Sequence, residues 1–147
     1  GLAELPADDP DLVGEFLALM SSAQADHTSA WRSLSALRRG DREPLRAALA
    51  GTDSEAVDVW IDRFDVAHSC VGLPDAAEQM DLANPIYIPR NHLVEAALDA
   101  AVGGDMEPFG AHTDVLADPY TERPGLERYA APATLEFAAA HQTFCGT

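Results

Sequence analysis

Apolar residues recur at helical spacing along most of the chain. The clearest example is a stripe whose members are three or four positions apart, formed by Val57, Trp60, Ile61 and Phe64. Such spacing places side chains on one face of an α-helix. Thr52 or Asp53 can cap this helix, because either side chain can accept a hydrogen bond from the first turn. No stretch alternates convincingly between apolar and polar residues, so the chain is predicted to be all-α.

The pattern predicts an irregular multi-helix bundle of about six to seven helices. Their approximate ranges are 12–20, 27–38, 42–50, 53–64, 74–83, 90–102 and 106–116, with a last turn or short helix at 134–142. Gly40 follows the second range and is suited to a left-handed helix end. Residues 118–133 are rich in proline and are predicted to form an extended arm on the helices. We therefore expect residues 1–147 to form a single helical unit, with an arm and tail at 118–147.

Pro89 complicates the start of the alanine-rich helix. If Asn84 caps that helix, Pro89 falls one turn inside it and removes a backbone hydrogen bond. Alternatively, residues 84–88 form a separate turn and Pro89 opens the helix. The second arrangement is favoured, because Ile88 precedes a proline and such residues prefer extended backbone.

The charge of the chain is strongly acidic. There are 25 acids and 9 bases, all of them arginine, for a net charge of −16. This balance repels phosphate groups, so binding to nucleic acid or to an anionic membrane is not expected. Kinase-like nucleotide sites and P-loops hold phosphates with a lysine, and this chain contains none. No glycine-rich loop precedes a predicted helix either.

The order and spacing of several short segments resemble the C-terminal part of the SelO family (also called YdiU or UPF0061). The matching segments are Leu12–Met20, Asp26–Thr28, Trp31–Ser35, Asn84–Leu93, Gly104–Asp105, Asp118–Gly125, Tyr129–Pro132 and Cys145. Two departures are local. Pro89 stands where the family usually has an apolar residue, and the tail ends Cys145-Gly146-Thr147 where many members end in Ser-Cys-Ser-Ser.

The resemblance implies a specific parent activity. Members of the family are kinase-like enzymes (pseudokinases) that use ATP and Mg²⁺ to transfer AMP to hydroxyl side chains of proteins. The family's nucleotide-binding and metal-binding residues lie upstream of the matched segment, so no catalytic, cofactor or metal residue is expected in this chain. Its implied partners are the upstream kinase-like part of the same protein and the protein substrates of the parent. The implied role of the chain is to pack against the C-lobe of the kinase-like fold.

Cys145 is the candidate redox residue. From its position alone, it is more typical of an idle cysteine near a chain end. The resemblance implies a redox role, because the family carries cysteine or selenocysteine there. Its disulfide partner could be Cys70 or a cysteine outside this chain. Cys70 itself is more typical of a small buried apolar residue, and the scattered histidines do not match the spacing of a zinc site.

The segment around Asn84, Pro85, Arg90 and Asn91 is interpreted as a structural motif. Arg90 can bind loop carbonyls or a carboxylate, and Asn91 can satisfy turn backbone. The alternative places both at a ligand, but the resemblance assigns the motif no catalytic role. Asp26, His27 and Thr28 do not indicate a hydrolase, because no nucleophile-elbow motif is present.

A different class of function remains open. The chain could be a stand-alone acidic helical module that binds other proteins and has no enzymatic activity. The two hypotheses differ in what precedes Gly1 in the coding sequence. The absence of an initial Met suggests a piece of a longer protein or a processed chain. No secretory pattern is visible at the start, so a cytoplasmic, bacterial-like protein is expected.

Overall fold

The computed structural model describes residues 11–68 and 73–141. Within these ranges the chain contains nine helices and no strand, so the all-α prediction is confirmed. The helices are α1 (Leu12–Ala23), α2 (His27–Arg38), α3 (Glu43–Ala48), α4 (Ser54–Ala67), α5 (Leu73–Ala83), α6 (Asn91–Val102), α7 (Glu107–Leu116), α8 (Glu127–Ala130) and α9 (Leu135–Ala140). They form two compact units that divide between Ile86 and Tyr87. The first unit comprises α1 to α5, and the second comprises α6 to α9.

The core of the first unit receives side chains from all five of its helices. The predicted stripe on α4 is buried as expected. Trp60 lies between Phe16 and Phe64, with ring centroids 4.7 and 5.2 Å away. Its indole Nε1 donates a hydrogen bond to the carbonyl of Leu12 at 2.9 Å. Aromatic packing on both ring faces and a satisfied indole N–H together fix α1 against α4.

Two helices end in the same hydrogen-bonded turn. Gly40 after α2 and Gly104 after α6 have φ of 89° and 91°. At the first end, Gly40 and Asp41 donate their backbone N–H groups to carbonyls of the last turn, at 2.9 and 3.0 Å. This is a Schellman motif, whose left-handed position favours glycine because a Cβ is strained there. The sequence predicted this end correctly.

The helix starts are less well predicted. Asp53 caps α4 by accepting a hydrogen bond from the N–H of Glu55 at 3.1 Å. The prediction that Pro89 opens α6 is wrong by two residues, since α6 begins at Asn91. The N–H of Arg90 bonds the carbonyl of Ile88 at 2.8 Å, which makes a three-residue turn centred on Pro89. The fixed φ of proline suits such a turn, and the helix starts after it.

The second unit is organised around a helical hairpin. Helices α6 and α7 pack against each other and are joined by residues 103–106. The short helix α8 interrupts the stretch that was predicted to be extended, and it contributes buried Tyr129. A four-residue helix is too short for apolar spacing to mark it. Helix α9 lies within the last predicted range, 134–142, and the hydroxyl of Thr134 caps its first turn by accepting from the N–H of Phe137 at 3.2 Å.

Candidate functional site

A cleft of about 330 Å³ opens in the first unit beside the predicted Asn-Pro motif. It lies between the first turns of α2 and the end of α5, and its lining residues are His27, Thr28, Trp31, Ala83, Asn84 and Pro85. Trp31 packs edge-on against Phe16 at 5.1 Å, so one side of its ring contacts the core. However, Trp31 is only partly buried, and its other surface lines the cleft.

The polar groups of the cleft favour binding over catalysis. The indole N–H of Trp31 donates to Nε2 of His27 at 3.0 Å. This bond occupies the ring nitrogen that would otherwise act as a base, and it places the proton of a neutral His27 on Nδ1. The lining residues offer a hydroxyl on Thr28 and an amide on Asn84, but no cysteine, serine or carboxylate. The cleft therefore lacks a nucleophile activated by a neighbouring base.

Arg32 fixes the end of α5 that forms one wall of the cleft. Its Nη1 donates to the backbone carbonyls of Asp81 and Asn84, at 2.7 and 2.9 Å. Its Nη2 lies 3.1 Å from the Asp81 carboxylate, which also pairs with Arg39. Burial opposes the ionisation of Asp81, yet hydrogen bonds from Arg39 and Ser35 and the two arginine charges lower its pKa below the usual value. The carboxylate therefore stays charged and holds Arg32 in place.

Tyr87 joins distant segments of the second unit, as Arg32 does in the first. Its backbone N–H donates to the carbonyl of Pro119 at 3.2 Å, and its hydroxyl accepts from the N–H of Arg123 at 3.0 Å. The guanidinium of Arg123 lies over the Tyr87 ring and donates to the carbonyls of Val115 and Asp118, at 2.7 and 3.0 Å. These contacts fasten the start of the proline-rich arm to the end of α7. The sequence analysis missed this pairing, although both residues lie in matched segments.

The comparisons with known proteins connect these motifs to one family. No protein-family model matches the chain. A relative from Mycobacterium sp. (strain KMS), described as protein nucleotidyltransferase YdiU, is 47% identical over 142 residues, which cover 97% of this chain and 27% of the relative. The chain belongs to the YdiU family. Relatives with the same description from Pseudarthrobacter chlorophenolicus and Chromobacterium violaceum are each 43% identical; they cover 96% and 95% of this chain, and 27% and 30% of their own lengths.

The extent of the similarity agrees with the resemblance stated above. The chain spans roughly a quarter to a third of the length of these YdiU relatives. This is consistent with the C-terminal part of a YdiU/SelO protein. The Asn84–Leu93 segment of this YdiU-family chain contacts one arginine in each unit. The carbonyl of Asn84 accepts a hydrogen bond from Arg32 in the first unit, and the hydroxyl of Tyr87 accepts one from the N–H of Arg123 in the second.

Arg90 and Asn91 have different surroundings in the YdiU-family chain. Arg90 is 7% exposed and is the residue before the first turn of α6. Asn91 is exposed as the first residue of that helix. The structural interpretation of Arg90 and Asn91 stays a prediction. Cys145 and Cys70 lie outside the described residues, so the redox hypothesis for Cys145 stays a prediction.

Two further kinds of site can be addressed for the described part of the chain. Among residues 11–68 and 73–141, no group of three or more histidine, cysteine, aspartate or glutamate side chains could hold a metal ion. In the same residues no helix is long and apolar enough to cross a membrane.

His112 is a buried titratable residue of the second unit. It is 6% exposed on α7 and lies 5.6 Å from the ring of Tyr129. Burial, and secondarily the charge of nearby His92, lower the pKa of His112 below its ordinary value. The folded state then binds fewer protons than the unfolded state, so stability is complete above the unfolded pKa of about 6.5 and is lost as the pH falls toward the folded pKa.

We expect the second unit to lose stability when the pH is lowered from 7.5 to 5.5. Amide hydrogen exchange of α7, corrected for the intrinsic effect of pH, measures this loss. The variant His112→Gln should show a smaller loss, because the buried titrating group is gone. His27→Gln, which alters an exposed histidine of the first unit, is the matched control. An unchanged pH dependence in His112→Gln would contradict the assignment.

Proposed function

We propose that this chain is a non-catalytic helical part of a YdiU-type protein nucleotidyltransferase. The whole protein would be a pseudokinase that transfers AMP from ATP to hydroxyl side chains of other proteins. The observation that carries the proposal is the 47% identity, along 97% of this chain, to a protein described as protein nucleotidyltransferase YdiU. Because the chain covers only 27% of that relative, most of the protein lies outside it. The remainder is proposed to bind ATP and Mg²⁺.

The chemistry of this chain supports a non-catalytic role. It contains no lysine to pair with nucleotide phosphates. Its cleft has no nucleophile beside a base, since Nε2 of His27 accepts from Trp31. Arg32 is committed to backbone carbonyls and a carboxylate, and Arg123 to backbone carbonyls and the Tyr87 ring. These arginines organise the fold, and the upstream kinase-like part of the same protein is the proposed partner of the whole chain. Use of ATP as donor also favours a cytoplasmic location.

The isolated 147-residue chain is expected to bind ATP with a dissociation constant weaker than about 1 mM, with or without Mg²⁺. The physical reason is its charge of −16 without a lysine or a phosphate-binding loop. Isothermal titration calorimetry measures this directly. The control is the longer polypeptide encoded by the same gene, which should bind ATP and transfer labelled AMP to protein hydroxyls. Saturable, Mg²⁺-dependent binding of ATP by the 147-residue chain would refute the non-catalytic role.

The second candidate is a stand-alone acidic interaction module. Several large apolar side chains are exposed in the described residues, among them Val102 and Met106, and a binding module would use such a surface. A coding sequence that contains only this chain would favour the module. A coding sequence several times longer, whose product transfers AMP, would favour the enzyme.

A further inference from the structure

Four large apolar side chains on and beside the turn of the α6–α7 hairpin are exposed. Leu98 and Val102 lie one helical turn apart on α6 and are 49% and 91% exposed; Met106 and Phe109 lie at the start of α7 and are 60% and 44% exposed. The tight turn at Gly104 brings the two helix ends together. We call these four residues the hairpin surface. Scattered exposed apolar residues are ordinary, but a cluster around one turn is typical of an interaction surface.

The acidic and basic residues of the α6–α7 hairpin itself are all acids, apart from histidine. Residues 91–116 contain no arginine, and five acids in this range are exposed: Glu95, Asp99, Asp105, Glu107 and Asp114. Glu95 pairs with Nδ1 of His141 at 2.8 Å. In the first unit, by contrast, acids on the helix surfaces pair with arginines, as Asp58 does with Arg46 at 2.8 Å. A partner complementary to the hairpin surface would therefore be apolar at its centre and basic at its rim.

A second copy of this chain does not fit that description. A twofold contact would place the same patch on both sides and would bring two acidic rims together. The net charge of −16 adds to the repulsion. The chain covers only 27% of the first YdiU relatives, so a large amount of polypeptide outside it is available as a partner within the same molecule.

We infer that the hairpin surface docks onto an apolar patch rimmed by arginine or lysine in the part of the YdiU polypeptide outside this chain. This inference rests on the proposed function, because it requires the longer protein. It also assigns a specific surface to that contact. Among the four residues of the hairpin surface, Val102 is the most exposed, so it has the largest fraction of its side chain to bury on docking.

Oxidation of methionine by dilute hydrogen peroxide tests the inference with native residues. The chain has three methionines: Met106 is 60% exposed, whereas Met20 and Met80 are 6% and 2% exposed in the first unit. In the 147-residue chain, peptide mass spectrometry should find Met106 oxidised first. In the longer protein, docking should slow the oxidation of Met106 by about tenfold or more, because the thioether must be reached by the oxidant. Met20 and Met80 report whether the first unit stays folded.

A pair of variants of the longer protein links this protection to the hairpin surface. Val102→Asn removes an apolar contact and should raise the oxidation rate of Met106 toward that of the 147-residue chain. Leu82→Asn changes a residue of the first unit that is 70% exposed, and it should leave Met106 protected. Equal rates for Met106 in the wild-type longer protein and the 147-residue chain would overturn the inference.

Two other outcomes can be distinguished from equal oxidation rates of Met106. Protection of Met106 that grows with the concentration of the 147-residue chain would mean that a second copy covers the surface, and it would also overturn the inference. Transfer of AMP by the wild-type longer protein is measured independently. Its loss would refute the proposed function even if Met106 were protected, whereas exposed Met106 in an active enzyme would refute only the docking surface.

Discussion

Replacing Trp60 by alanine is expected to lower the free energy of unfolding of the first unit by about 3–5 kcal/mol. Trp60 is 2% exposed and packs between Phe16 and Phe64. The substitution removes both aromatic contacts and leaves a cavity that the neighbouring helices cannot fill. It also leaves the buried carbonyl of Leu12 without the indole N–H that it accepts from. Urea unfolding followed by circular dichroism at 222 nm measures the change.

Two further variants separate the contributions at this position. Trp60→Phe keeps most of the apolar volume but loses the hydrogen bond, so it should cost less than Trp60→Ala. Val59→Ala changes the preceding residue, which is 56% exposed, and should shift stability by no more than about 0.5 kcal/mol. A loss in Trp60→Ala no larger than that in Val59→Ala would show that Trp60 is not at the centre of this core.

Arg32→Ala is expected to destabilise the first unit by about 2–3 kcal/mol. The guanidinium donates to the carbonyls of Asp81 and Asn84 and pairs with the Asp81 carboxylate. Truncation leaves these acceptors without their charged donor and releases the wall of the cleft at the end of α5. Hydrogen exchange should therefore increase most at residues 80–86, and urea unfolding gives the total loss.

Arg46→Ala is the matched control for Arg32. Arg46 forms ion pairs with Glu43 and Asp58, but it lies on the surface, where solvent screens such pairs and they contribute little to stability. Arg32→Lys keeps the charge but loses the planar fork whose Nη1 reaches both carbonyls while Nη2 faces the Asp81 carboxylate, so it should recover only part of the loss. If Arg32→Ala and Arg46→Ala cost the same, Arg32 does not anchor the motif.

Much of the structure of the first unit could be predicted, because the residues that determine each helix and its end are close together in the sequence. The stripe of Val57, Trp60, Ile61 and Phe64 encodes both the helix α4 and its buried face. Gly40 encodes a helix end through a backbone conformation that other residues rarely adopt. Pro89 was harder, because proline at a helix start and proline in a three-residue turn have the same φ. The choice between them depends on ψ, which the sequence does not display.

The candidate site was predicted less completely, since its contacts join distant residues. Asn84 and Pro85 were singled out from the sequence, but the cleft also needs His27 and Trp31 from α2. Arg90 and Asn91 were paired in the motif, yet one is buried and the other exposed. Whether a residue is buried or exposed depends on which helices pack against it, and the spacing of residues along the chain does not predict that packing.

The sequence by itself determined the helical class, the buried face of α4 and the absence of a lysine for nucleotide phosphates. Those properties follow from composition and from a repeat of 3.6 residues per turn. Only the tertiary structure decided that Arg32 holds a carbonyl 52 positions away and that Tyr87 meets Arg123 across 36 positions. It also decided that Val102 and Met106 stay exposed beside one turn. Such partners are chosen by the packing of whole helices, which settles long-range contacts together.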